Sequence, residues 1–240
     1  DGRLAQARSD TKLQIKQLKL TLAESQIELQ EQALQLDGQL VAEGTQQLRF
    51  EGTFSSAPSQ LQMPDLNLRQ QARSWTGNIE VELSESGLVK LISNGVLQLQ
   101  GLQLQQQQSQ LSLNEQQIEL KGRLETDTKA LQFNGSLQTQ PSQISFEHLR
   151  LATQSRLWQG TLGVDIASAA LSSLSGDINI GALQLSHQDG SALLGFEQLQ
   201  LNQLQAPQPN QVDVESLQLQ GLVIGAEQPL LKLDRLDIAT

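Results

Sequence analysis

Two histidines, His148 and His187, are the first residues to ask for chemistry, because imidazole titrates near neutrality and ligates metals. Each lies in a strand-like run, and neither has the Cys, His or carboxylate spacing that a metal site or a catalytic triad needs. Glu147 and His148 are adjacent, so on a strand their side chains point to opposite faces. We read both histidines as surface residues. The carboxylates Glu28, Glu80, Glu82, Glu119, Asp213 and Glu215 alternate with apolar residues and so fall on an outward face. A glycosidase-like carboxylate pair would want aromatic sugar platforms, and only 3 % of the chain is aromatic, with no Tyr. Asp177, Asp234 and Asp237 do not have calcium-loop spacing. No nucleophile elbow, phosphate loop or zinc-protease motif is present. We expect no enzyme activity, no cofactor and no metal. Trp75 and Trp158 are the most distinctive side chains, each with a glycine two residues on (Gly77, Gly160) and an arginine two residues before (Arg73, Arg156). They read first as packing anchors and second as groove-rim residues touching lipid, with the arginines on the same strand face and able to stack on them.

The totals narrow the field further. A net charge of −10 argues against nucleic acid as a partner, since phosphates would be repelled. Cysteine is absent, which removes disulfides and thiolate chemistry and suits an oxidising compartment. No apolar run approaches the length of a spanning helix. The chain begins at Asp1 without a Met, and we read it as an excised or processed piece of a longer protein.

What must position any site is a strand pattern. Leucines recur at i, i+2 in couplets such as Leu18/Leu20, Leu34/Leu36, Leu102/Leu104, Leu149/Leu151, Leu183/Leu185 and Leu217/Leu219. A helix would scatter them around its circumference, so alternation overrides the helical preference of Leu and Gln. The expected fold is all-β, an elongated, twisted and curled antiparallel sheet (a trough or open barrel) of about sixteen to eighteen strands with little helix. Asn94-Gly95 and Asp189-Gly190 read as hairpin turns. Pro58, Pro64, Pro141, Pro207 and Pro209 read as loop or edge markers. Residues 167–174 are the candidate for a short helical or irregular piece.

The chain repeats itself. Residues 17–40 lie over 101–124 without a gap at an offset of 84, with identities at Leu18/Leu102, Leu20/Leu104, Leu29/Leu113, Glu31/Glu115, Leu36/Leu120 and Gly38/Gly122 among others. After a one-residue deletion LRFEGTF (48–54) matches LQFNGSL (131–137), and Arg73, Trp75 and Gly77 fall on Arg156, Trp158 and Gly160. Phe, Trp and Gly landing together are not low-complexity coincidence. Because Asn134-Gly135 has Glu51-Gly52 as its twin, Gly135 reads as a strand glycine at a bend rather than a turn. A degenerate third copy begins near residue 175. The resulting division is 1–95, 96–178 and 179–240, three phases of one continuous sheet. Glutamine tract QQQQSQ (105–110) becomes a turn region of the second copy, and no hydrogen-bonding residue stands out as recurring at inward positions.

The C-terminal text GDINIGALQLSHQDGSALLGFEQLQL (176–201), the V-x-V-x-x-L-x-L-x-G run at 212–221 and the W-x-G-x-(I/L)-x-V elements at Trp75–Val81 and Trp158–Val164 resemble the AsmA/TamB-like superfamily of Gram-negative envelope proteins, in particular members with a repeated periplasmic domain of unknown function. The resemblance implies a periplasmic segment of a protein tethered to the inner membrane by segments outside this chain. It also implies a β-groove with an apolar inside, phospholipid or another acyl-chain lipid as ligand, envelope proteins as partners and a role in outer-membrane biogenesis. The groove candidates are Leu18, Leu20, Leu29, Leu36, Leu102, Leu104, Leu113, Leu120, Leu149, Leu151, Leu183 and Leu185, with Trp75, Gly77, Trp158 and Gly160 as repeat anchors. If the sheet curls only part-way these leucines line a channel. If it closes, the chain is a structural or interaction scaffold with a leucine core.

Overall fold

Alternation decides the secondary structure. The computed structural model describes residues 6–22, 27–44, 46–84, 87–106, 111–168, 170–208, 211–225 and 230–239, and every regular element among them is a strand. Sixteen antiparallel strands form one sheet that curls part-way into a ring without closing as a barrel. Counted across the sheet they make twelve columns, in three blocks of four. The first block has β1 (Gln6–Leu22), β2 (Ile27–Glu43), a third column shared by β3 (Gln47–Ser56) and β4 (Ser59–Gln62), and a fourth shared by β5 (Leu66–Gln70) and β6 (Ala72–Ser84). The second block repeats this with β7 (Gly87–Gln106), β8 (Leu111–Asp127), an unbroken β9 (Ala130–Phe146), and β10 (Leu149–Thr153) with β11 (Arg156–Asp165). The third has β12 (Ala170–His187), β13 (Ala192–Gln208), β14 (Gln211–Asp213) with β15 (Ser216–Ile224), and β16 (Leu231–Ala239). Residues 95 and 178 fall inside β7 and β12, so the repeat is a phase within one sheet.

Cross-strand register turns the couplets into ladders. One runs Leu20–Leu29–Leu61–Leu68–Leu104–Leu113–Ile144–Leu151–Leu185–Leu194–Ile224–Leu231 through all twelve columns. Seven residues along each strand a second runs Leu13–Leu36–Phe54–Trp75–Leu97–Leu120–Leu137–Trp158–Ile178–Leu201–Leu217–Ile238. Between the ladders the strands step out of alternation, at Ala33 (φ 48°), Gly101 (φ 62°), Gly221 (φ 65°) and the breaks between β3 and β4, β5 and β6, and β10 and β11. The step keeps both ladders on one face although their residue numbers differ in parity.

A line of glycines crosses the sheet beyond the second ladder: Gly38, Gly52, Gly77, Gly95, Gly122, Gly135, Gly160 and Gly176 are successive register partners. A Cβ at Gly77 would sit 2.0 Å from the Asn94 carbonyl oxygen, and one at Gly160 1.9 Å from that of Ser175. Only glycine permits this approach, and the bend it allows is what a sheet this wide needs. Phe50, Trp75 and Phe133 reach over the line, their ring atoms 2.7–2.9 Å from where Cβ atoms at Gly52, Gly95 and Gly135 would be.

Several local expectations are corrected here. Asn94-Gly95 is not a hairpin; it lies mid-β7, paired with Asn78-Gly77 on one side and Arg123-Gly122 on the other. Residues 166–168 form a turn and β12 begins at Ala170, so no helical piece stands there. Pro141 lies inside the central strand β9, at the alternation step rather than in a loop. Pro207 also lies within a strand, β13, and Pro209 is outside the described residues. β7 runs to Gln106, so Gln105 and Gln106 are strand residues, and 107–110 lie outside the described residues. Asp189-Gly190 does form the turn between β12 and β13.

Aspartates fix three of the connections. The Asp127 carboxylate accepts the backbone N–H groups of Ala130 and Lys129, both at 2.7 Å, and those bonds hold its pKa below the ordinary value. Asp165 and Asp189 are lowered likewise by Ser168 and Ser191, hydroxyl first and backbone second. A carboxyl lowered in the native state contributes stability that is present above its ordinary pKa and lost as pH falls through the native value. The variant Asp127→Asn should therefore melt below the parent at pH 7, and the gap between their melting curves should close on acidification.

Candidate functional site

All twelve groove leucines lie on the ladder face, and none is fully buried. Leu20 is 51 % exposed and Leu149 37 %, while the other ten are half-buried. Among the described residues the buried apolar side chains are Phe133, Leu204 and Ala206. The chain exposes 15597 Å², whereas a compact monomer of 26.3 kDa would expose about 10,600 Å². A face of leucine this long, left half-open, is unusual for a soluble surface. The opposite face carries polar side chains in register, such as Gln98–Glu119–Gln138 and Gln200–Gln218, with the Gln98 amide donating to the Glu119 carboxylate at 2.9 Å. A surface concavity of about 720 Å³ lies along the alternation step on that face, lined by Asn114, Gln143, Gln184, Glu197 and their neighbours. Its polar lining is mostly amide, with Glu197 the one charged side chain there.

The ladder face is not wholly apolar, contrary to the expectation that no polar residue recurs on it. Glu31 and Glu115, twins in the repeat, are 2 % and 3 % exposed and are ion-paired to Arg73 and Arg156, also twins. Arg73 Nε donates to Ser56 Oγ at 2.9 Å and Arg156 Nε to Thr139 Oγ1 at 3.0 Å. Beside the second pair, the Ser142 and Thr153 hydroxyls bond each other at 3.0 Å. One carboxylate oxygen of each glutamate, Oε2, is buried with no hydrogen-bond partner among the protein atoms, as is Trp158 Nε1. The arginines remain about a third exposed. In the third block the same register rows carry Phe196 in the glutamate place, Leu219 in the hydroxyl place and Leu236 in the arginine place.

The tryptophans act as packing anchors. Trp75 stacks with Phe50 at 6.2 Å between ring centroids, and Trp158 meets Phe133 at 6.0 Å. Arg73 lies 5.2 Å over Phe54 and pairs with Glu31, instead of stacking on Trp75. His148 sits exposed in the turn between β9 and β10, and His187 is exposed at the end of β12. No cluster of metal-ligating side chains and no helix long enough to cross a membrane occurs among the described residues. The fold and the site together define a class, an open antiparallel β-trough with one largely apolar face interrupted by two buried ion pairs. No protein-family model matches the chain, and no curated protein or solved structure is detectably similar to it.

Proposed function

We propose that the ladder face binds phospholipid acyl chains, in a periplasmic segment of an AsmA/TamB-like envelope protein tethered to the inner membrane and passing lipid toward the outer one. The observation that carries this reading is the pair of unbroken apolar ladders, twelve columns long and half-open. A buried methylene is worth about 0.8 kcal/mol, so a sixteen-carbon chain laid along the ladders gains roughly 12 kcal/mol at full burial. Walls of Leu, Ile and Val with few aromatics suit a fluid chain of no fixed shape. The role is binding and transfer, without catalysis. Half-exposed leucines favour this over a scaffold with a closed core, in which they would be covered.

Leu104 sits near the centre of the first ladder between Leu68 and Leu113. The variant Leu104→Glu should cost about 1 kcal/mol of stability, because its side chain is only half-buried. It should also abolish crosslinking of a photoreactive fatty-acyl phospholipid to the purified chain. Native mass spectrometry showing that the parent neither carries nor takes up lipid would sink the reading.

A further inference from the structure

Charges buried on an apolar surface are costly unless paired and fully hydrogen-bonded. The trough holds two such pairs, and in both the glutamate keeps one oxygen buried and unpartnered while the arginine remains about a third exposed. The third block dispenses with the pair altogether, with Phe196 and Leu236 at the corresponding places, so the fold does not demand it. Arg73 and Arg156 stand four columns apart, roughly 19 Å at the usual strand spacing.

We infer that the Glu31–Arg73 and Glu115–Arg156 pairs are headgroup stations for a zwitterionic phospholipid bearing an N–H donor. The guanidinium takes a phosphate oxygen through its free N–H groups, and the unpartnered carboxylate oxygen takes the headgroup ammonium. Each station is neutral as a pair, so it matches a headgroup that carries both charges and is not selective for a net anion. The inference rests on the lipid reading and adds to it where along the trough the headgroup stops and which headgroup it is. The third block, lacking the pair, offers acyl contacts alone.

The test equilibrates the purified chain with vesicles of equal parts phosphatidylethanolamine, phosphatidylglycerol and phosphatidylcholine with matched acyl chains. Bound lipid is then identified by native mass spectrometry. Phosphatidylethanolamine should be enriched about tenfold over phosphatidylcholine, whose trimethylammonium has no N–H to give; about 1.4 kcal/mol supplies that factor. The variant E31F/R73L/E115F/R156L, which gives both stations the third block's residues, should keep total lipid and lose the enrichment. Should that variant misfold, E115F/R156L alone should lower the enrichment by about half, as one of two stations is lost. Lipid bound in the vesicle ratio would overturn the stations and leave the lipid reading standing, whereas no bound lipid would overturn both. Enrichment undiminished from the parent's in either folded variant would also overturn the assignment. O-phosphoethanolamine should not be retained on its own; tight binding of it would make this a small-molecule phosphate site instead.

Discussion

Replacing Gly160 with alanine will destabilise the sheet by about 3 kcal/mol or more, whereas the same change at Gly195 will cost less than about 1 kcal/mol. Both glycines sit in strands paired on two sides, Gly160 between Gly135 and Gly176 and Gly195 between Gln184 and Val223. Intrinsic preference therefore treats them alike, and alanine's smaller unfolded-state entropy would favour the variant slightly at either site. They differ in what a methyl group meets. At Gly160 it lands 1.9 Å from the Ser175 carbonyl oxygen and 2.7 Å from the Gly176 Cα, both backbone atoms that can yield only if β11 and β12 separate. At Gly195 its nearest neighbour is the Leu183 carbonyl oxygen at 3.4 Å, an ordinary contact. Urea denaturation followed by tryptophan fluorescence will separate the two. Equal midpoints would mean that the glycine line is not what sets the bend.

The line was partly legible in the sequence, and the part that was missed is instructive. Gly135 reads correctly as a strand glycine because its twin, Gly52, follows Glu and not Asn. Gly95 follows Asn and reads as a turn, although its register partners are Gly77 and Gly122. The usable signal is what happens two residues to either side. Gly38, Gly77, Gly122, Gly160 and Gly176 each have an apolar residue at both i−2 and i+2, so each occupies an inward position in alternation that continues through it. A turn glycine ends the alternation, as Gly190 does between β12 and β13.

The buried pairs were hidden for a different reason. Glu31/Glu115 and Arg73/Arg156 are visible as repeated identities, yet counting by twos from Leu36 or Leu120 assigns both glutamates to the wet face. For Glu31 the step at Ala33, where φ is positive without a glycine to announce it, reverses that count, and for Glu115 the break in register at Gln116 does so. A non-glycine residue in the left-handed region leaves no compositional mark. The pairing itself joins residues from different columns, with |i−j| of 42 and 41, so no local spacing reports it. The all-β class and each ladder taken by itself, by contrast, depend only on period two within a stretch of strand on one side of the step, which is why they could be read directly.

That geometry makes the effects of removing the second pair unequal. Arg156→Leu leaves Glu115, 3 % exposed, as an uncompensated charge in an apolar surround, and should cost about 3–5 kcal/mol. Glu115→Leu leaves Arg156, 30 % exposed and still donating to Thr139, with water within reach of its guanidinium. That variant should lose about 1–2 kcal/mol, because the group left unpaired can be solvated. The double variant should come within about 1 kcal/mol of the parent, since a buried ion pair replaced by apolar residues is often neutral. The third block already folds with Phe196 and Leu236 at those places. A double-mutant cycle by urea denaturation will therefore show a coupling of several kcal/mol dominated by the stranded glutamate. Additive losses would mean that Glu115 finds other partners when Arg156 is gone, and the neutral swap from block two to block three would then fail as an account of how the repeat diverged.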